Sequence, residues 1–358
     1  MKKLFKILYA VPFIVGCAPK TYSVDDYRLT MNFHDDFKIL QLTDLHFGIE
    51  SNLKEQFLYV KESIEEANPD LIILTGDNFM YGSQGIVKNT FDFINICCKN
   101  LTAKNNRLTK FAVTHGNHDN QGDYHKYFMN DVVKTYTTSN GNEINENKYA
   151  LFVDYDDDNL FGLTNYFIDL VSNDDVKYRL HIVDSNTYKT QGIKYGYDVI
   201  HDDQLNHMVN IYNSATEDKD YIGLAFFHIP LLQYKEAIEQ YKSSAIPENV
   251  GQGVFIDKDH YPSVDNGSYD KMKSANIVGY FTGHDHKNYG DIIYKDSSDD
   301  LALISYGVKS TNQLYHDDEM VGYKLINLKD NITKNEFLSM DYVKNNIKNV
   351  IRGGVYGK

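Results

Sequence analysis

The sequence predicts an α/β fold in which two packed mixed β-sheets are flanked by helices. Three observations carry that prediction. Up to about residue 115, short apolar runs alternate with segments of helical spacing, a rhythm that implies parallel strands joined by helical crossovers. From about residue 148 onward strand-like runs dominate. Five of the apolar runs end in short blocks of Asp, Asn and His, most beside a glycine, so five strand ends converge on one edge.

Taken in order, Lys38 to Thr43 is the first of these strands and runs into Asp44-Leu45-His46. Asn52 to Asn68 places Leu53, Phe57, Val60 and Ile64 at helical spacing and stops at Pro69, so a helix connects the first two strands. Asp70 to Thr75 is the second strand and leads into Gly76-Asp77-Asn78. Gly85 to Leu101 makes the next helical crossover; Cys97 and Cys98 are adjacent on it, too tightly placed for a mutual disulfide, and no disulfide framework is expected. Lys110 to Thr114 is the third strand, before Gly116-Asn117-His118-Asp119. Tyr149 to Asp154, Asn165 to Val171 and Val176 to Asp184 read as further strands, and Tyr221 to Phe227 as the one that delivers His228. Tyr241 to Asp270 is a long polar insertion, suited to covering a cleft and setting specificity. Ile277 to Thr282 precedes Gly283-His284-Asp285-His286, and Ile292 to Tyr294 and Leu301 to Tyr306 complete the strands. A chain of 358 residues with 42% hydrophobic content can bury a substantial core, as one large domain or at most two.

The five polar blocks offer oxygen and imidazole donors in the numbers that two adjacent divalent ions require, which points to metal-assisted hydrolysis. Oxygen donors suit Mn²⁺ or Mg²⁺ and neutral imidazole suits Fe or Zn, so the mixed set fits a dinuclear site of borderline character. Cysteine is absent from every block, which sets aside a thiolate zinc or iron-sulfur site. His284 and His286 stand two residues apart and face the same way on an extended segment. Singly, a block such as Gly76-Asp77-Asn78 is an ordinary turn; their conjunction, each after an apolar strand, is what turns read alone do not explain.

Other residues carry less. Asp119, Asn120 and Asp184 either orient ligand imidazoles or are solvated turn residues, and His115 reads as an ordinary strand-end histidine. Tyr155 to Asp158 is an acidic surface turn without the spacing or closing Glu of a calcium loop. Gly251-Gln252-Gly253 lacks the context of a nucleotide cradle. A net charge of −14 disfavours a protein that grips nucleic-acid backbones.

The ordered set Asp-x-His, Gly-Asp-Asn, Gly-Asn-His-Asp, His and Gly-His-Asp-His resembles the calcineurin-like metallophosphoesterase superfamily over roughly residues 37 to 310. Asp44 to Gly48, Thr75 to Asn78, His228-Ile229-Pro230, Gly283 to His286 with Asn288 and Gly290, and the pairs Asp184-Ser185 and Tyr306-Gly307 most resemble its purple acid phosphatase-like branch. Purple acid phosphatases proper replace the first-block His and carry an iron-binding Tyr three residues after the bridging Asp; here His46 is kept and position 80 is Met. Protein phosphatases of the superfamily carry Asp-Arg-Gly after that Asp, whereas Asn78-Phe79-Met80-Tyr81 follows Asp77. The resemblance implies an αββα sandwich in which Asp44, His46 and His286 hold one metal, Asn117, His228 and His284 hold the other, and Asp77 bridges them, one carboxylate oxygen to each ion. His118 would be the catalytic residue beside the scissile phosphate.

The chain reads as a catalytic domain over 37 to 330, preceded by a tether at 18 to 36 and followed by a C-terminal extension at 331 to 358, whose stretch from Met340 reads as a peripheral strand or mobile end. Residues 1 to 17 read as a signal peptide: a basic start at Lys2-Lys3, an apolar stretch from Ile7 to Val15, and a Gly16-Cys17 end that resembles a bacterial lipobox. Cys17 would then be lipidated, and the chain would sit on the outer face of the cell membrane, or be secreted if the lipobox is not used. The expected activity is hydrolysis of phosphate esters, foremost phosphomonoesters, by a hydroxide bridging two divalent ions (Mn, Fe, Zn or Mg), with a phosphorylated small molecule as substrate. Phosphodiesterase or nucleotidase action on the same site, or a surface lipoprotein that only binds metal, are the alternatives.

Overall fold

The computed structural model describes residues 23–48, 52–123, 125–138, 141–145, 147–154, 160–191, 194–215, 219–258 and 260–353. The signal segment with Cys17 and the acidic turn at Tyr155 to Asp158 lie outside the described residues.

The chain begins with β1 (Arg28–Asn32), β2 (Phe37–Leu42), β3 (Phe47–Gly48), α1 (Leu53–Ala67), β4 (Leu71–Thr75), β5 (Phe79–Met80), α2 (Gln84–Asn105), β6 (Lys110–Thr114) and α3 (Lys126–Thr135). It continues through β7 (Asn165–Ser172), β8 (Asp175–Val183), β9 (Tyr188–Gln191), β10 (Lys194–Tyr197), α4 (Asp202–Ser214), β11 (Ile222–Phe226), α5 (Gln233–Ser243), β12 (Gly251–Phe255) and α6 (Ser268–Ser274). The last elements are β13 (Ile277–Thr282), β14 (Asn288–Lys295), β15 (Leu301–Tyr306), β16 (Gly322–Leu328), α7 (Lys334–Phe337), α8 (Met340–Asn346) and β17 (Ile347–Ile351).

One sheet runs in the order β17-β16-β2-β4-β6 and the other in the order β1-β7-β8-β11-β13-β15-β14-β12. The strand, helix, strand rhythm gives the parallel pairs expected of it, β2 with β4 and β4 with β6. In the larger sheet β8, β11, β13 and β15 are parallel neighbours. Parallel strands covered on both faces should be apolar throughout, and every residue of β4, β6 and β11 is buried. One continuous core joins the sheets face to face: Leu40, Leu42, Ile72, Leu74 and Val113 pack in the same cluster as Ile168, Leu180, Phe226 and Phe281. A second cluster lies under α4, α5 and α6 on the outer face of the larger sheet, while α1 and α2 cover the smaller one. The architecture is the αββα sandwich that the sequence predicts. The first crossover helix ends where its caps dictate: Asn52 accepts the Glu55 amide, and Asn68 takes a left-handed φ of 47° before Pro69.

Three segments differ from their sequence reading. Residues 18 to 36 were expected to be a tether, yet Arg28–Asn32 pairs in parallel with β7, and Leu29, Met31 and Phe33 are buried. Tyr149 to Asp154 was expected to be a strand but makes only isolated bridges, from Ala150 to Phe111 of β6 and to Thr137. The cause is a side chain: the Tyr166 hydroxyl wedges in against the Val113 and Leu151 carbonyls and accepts the Val113 amide, so a ladder cannot extend. The C-terminal extension is built into the sandwich and is no separate appendage: Phe337, Val343 and Ile347 lie in the core, and β17, paired on β16 at the sheet edge, is the peripheral strand read from its last stretch. The polar insertion at 241 to 270 supplies β12, the last strand of the larger sheet. Cys97 and Cys98 are buried and unbridged in α2.

Candidate metal centre

Each of the five polar blocks follows the C-terminal end of a strand: β2, β4 and β6 from one sheet, β11 and β13 from the other. The edges of the two sheets meet there. Asp44, His46, Asp77 and His286 bring one ligand atom each within 4.8 Å of one another, and so do Asp77, His228 and His284, with Asp77 common to both groups. All six residues are buried.

The backbone is bent to make this possible. Asp44, His46, Asp77 and His284 have φ of 54°, 49°, 49° and 77°, in the left-handed region. Such a conformation costs a side-chain-bearing residue on the order of 1–3 kcal/mol and persists only where the surroundings hold it, a pattern that clusters at functional sites. The surroundings are tight. A Cβ at Gly116 would lie 2.2 Å from Asp77 Oδ1, so the loop can pass the carboxylate only as glycine.

Hydrogen bonds aim the donors. The His228 Nδ1–H donates to the Thr75 carbonyl at 2.9 Å and the His286 Nδ1–H to the Tyr315 carbonyl at 2.8 Å, which turns both Nε2 atoms to the centre. His46 Nε2 lies 3.0 Å from His286 Nε2. Asp44 Oδ2 accepts from the Thr43 hydroxyl, the His284 amide donates to both carboxylate oxygens, and Oδ1 lies 3.4 Å from His286 Nε2. Asp77 Oδ1 accepts the His118 amide at 2.8 Å. That leaves Oδ2 as the atom turned to both groups, 3.7 Å from His46 Nε2 and 3.1 Å from His228 Nε2. One oxygen therefore faces both donor groups. Asn117 donates its amide Nδ2 to the Tyr188 hydroxyl at 2.7 Å, while its Oδ1 is buried.

The residues fit cations. His284 Nε2 and Asn117 Oδ1 are buried without hydrogen-bond partners among the described residues, which costs free energy unless something electropositive meets them. Burial and then the Lys309 charge hold the His46 and His286 imidazoles below their usual range, and burial followed by His228 takes His284 to about 3. All three stand ready as neutral donors. His228 differs: burial opposes its charge, but the Asp77 carboxylate outweighs that and lifts it to about 9. A cation there must displace that proton. Burial disfavours charge on Asp44 and Asp77 too, yet the imidazoles around them keep both carboxyls below the ordinary range.

His118 completes the site. Its Nδ1 meets Gln121 Oε1 at 2.9 Å and its Nε2 lies 3.9 Å from Asp77 Oδ2, with the side chain 21% exposed where the six clustered residues are buried. Of the weaker sequence candidates, none touches a ligand imidazole by hydrogen bond. Asp119 accepts from the Phe79 and Gly116 amides and Asn78, tying two of the loops together; Asp184 pairs with Lys126; His115 meets Asn130; Asn120 is exposed. Lys309 escaped the sequence reading. Its buried ammonium donates to the Asp44 carbonyl at 2.9 Å and braces the first block, and its only sequence signal is its place just after Tyr306-Gly307. Asp257, His260 and Asp285 also gather within 4.8 Å, but Asp285 is already satisfied by His260 and Asn288.

A family model described as calcineurin-like phosphoesterase matches residues 37–288. The chain therefore belongs to the calcineurin-like phosphoesterase family, as its sequence pattern implies. Phosphatase DCR2 of Saccharomyces cerevisiae is 27% identical over 292 residues, 76% of this chain, and the chain spans about half (47%) of that protein's length. A protein of Arabidopsis thaliana named probable inactive purple acid phosphatase 29 is 25% identical over 317 residues, covering 79% of this chain and 76% of that one. Among solved structures, a dimetal phosphatase from Danio rerio is 11% identical, with a TM-score of 0.47 and coverage of 83% of this chain and 94% of that chain.

Proposed function

We propose that the chain hydrolyses phosphate esters, foremost phosphomonoesters, at a centre of two divalent ions. Asp44, His46 and His286 would hold one ion, Asn117, His228 and His284 the other, with Asp77 Oδ2 between them. When bound, such ions supply Lewis acidity and a water acidified to near-neutral pKa. The protein's own contribution is orientation and proton handling. Carbonyl hydrogen bonds from His228 and His286 fix which nitrogen points inward, and the burial of Asp44 and Asp77 keeps solvent off the carboxylates. Gln121 fixes the His118 ring through Nδ1, so the imidazolium presents its Nε2 proton to the leaving oxygen.

The observation that carries this reading is the partly exposed His118 Nε2 set 3.9 Å from Asp77 Oδ2. A site that only stores metal has no need of a solvent-facing acid beside its shared carboxylate. The name of the Arabidopsis relative states the contrary case, a protein of this kind without turnover. Hydrolysis of a nitrophenyl phosphomonoester and its bis-ester by the Mn²⁺-supplied chain, with Asp77→Asn alongside, separates the two. The proposal expects turnover of the monoester ahead of the diester and its loss in the variant. Faster diester cleavage would shift the substrate class to phosphodiesters, and no turnover with any divalent metal would favour metal binding alone.

A further inference from the structure

We propose that the centre prefers phosphate esters whose alcohol carries an aromatic ring, a nucleoside or aryl phosphate, and that Tyr315 is the surface on which that ring stacks; this rests on the hydrolase reading above. Tyr315 comes from the loop between β15 and β16 and lies over His286, ring centroids 4.2 Å apart and planes 22° from parallel. One face is thus taken, yet the residue remains 51% exposed beside the centre.

Two more part-exposed tyrosines border the centre from the β9–β10 hairpin. Tyr188 and Tyr197 are direct partners across that hairpin and stack at 5.4 Å. Tyr197 sets its ring against His284 at 4.4 Å, and Tyr188 stands 6.4 Å from His118, the side on which the leaving oxygen would take its proton. Rings that merely support a ligand gain most by full burial, as Tyr280 and Tyr306 are buried in the core. Leaving half of Tyr315 in water forfeits that gain unless a planar group covers it. The net charge of −14 points the same way, because an acidic protein draws little selectivity from long-range attraction of anions and more from contact with the organic part.

Tyr315 also allows a clean test, since the contact that orients His286 is its backbone carbonyl and survives substitution. Base stacking on an aromatic side chain corresponds to roughly 5- to 150-fold when the ring is removed. We would measure kcat/KM for adenosine 5′-monophosphate and for glycerol 3-phosphate, two esters of ordinary alcohols, so that the ratio reports recognition of the ring and not leaving-group acidity. The expectation is a preference of tenfold or more for the nucleotide in the parent chain. The ratio should collapse in Tyr315→Ala, chiefly through KM for the nucleotide, and survive in Tyr315→Phe. No preference in the parent chain, or a loss in Tyr315→Ala of equal size for both esters, overturns the proposal. If neither ester turns over, it is the hydrolase reading that fails, and calorimetric binding of adenosine 5′-monophosphate to the metal-loaded chain still decides: weaker binding by Tyr315→Ala supports the platform, equal or absent binding to both refutes it.

Discussion

At the scale of the residue, the centre works through atoms that residue types alone do not specify. The sequence marks Asp77 as the shared carboxylate, but only the fold shows that the His118 amide occupies Oδ1 and leaves Oδ2 to face both donor groups. His118 is tied to this carboxylate through its backbone while its ring reaches into the cleft. His118→Ala should therefore cut turnover by roughly 100- to 10,000-fold while leaving metal content unchanged. Metal lost along with activity would move His118 into the ligand set. A different histidine contributes to stability towards acid. His181 in β8 is buried, and burial, then Arg179 and His207, depress it to about 3. The unfolded chain takes up that proton at ~6.5. Because the folded value lies below the unfolded one, stability present above about 6.5 is lost as pH falls from there towards 3, at up to about 1.4 kcal/mol per pH unit. Urea unfolding at pH 7 and pH 5 should show the parent chain losing about 1–2 kcal/mol more than His181→Leu; equal losses would contradict it.

At the scale of the element, five strand ends deliver the donors and glycines let their loops touch. Gly116→Ala places a Cβ 2.2 Å from both the Asp77 amide and Oδ1, so the bound-metal content of that variant should fall sharply. Gly85→Ala, whose Cβ would meet nothing nearer than Ser83 Oγ at 3.6 Å, should keep it. Elemental analysis of the two purified variants decides, and equal metal content would show that the loops can yield. The strands that carry the centre were legible because each is a short apolar run, most of them closed by Gly, Asn or Pro, and β13 and β15 fall on the residues expected of them. What was hidden depends on partners distant in sequence. Arg28–Asn32 looks like tether until β7 arrives more than 130 residues later to bury Leu29 and Met31. Tyr149 to Asp154 looks like a strand until Tyr166 breaks its pairing. Tyr188 and Tyr197 reach the centre from the short β9–β10 hairpin, and Lys309 and Tyr315 from loops, none of which carries a spacing signal of its own.

At the scale of the whole molecule, the sandwich brings two sheet edges together and closes a strained, buried cluster of carboxylates and imidazoles between them. Residues 331 to 353 belong to that body through α7, α8 and β17, and no helix among the described residues is long and apolar enough to cross a membrane. The buried donors left without partners at His284 and Asn117 make cation binding the central requirement of the account. Bound ions should also stabilise the fold by mass action, by about 2.7 kcal/mol at a hundredfold excess over Kd. The most direct measurement is the number of Mn²⁺ ions taken up per chain after chelator treatment and metal titration, with circular dichroism to confirm that the fold persists. The account expects two ions per chain, and fewer in Asp77→Asn because its Oδ2 faces both positions. A folded chain that binds one ion or none would contradict it.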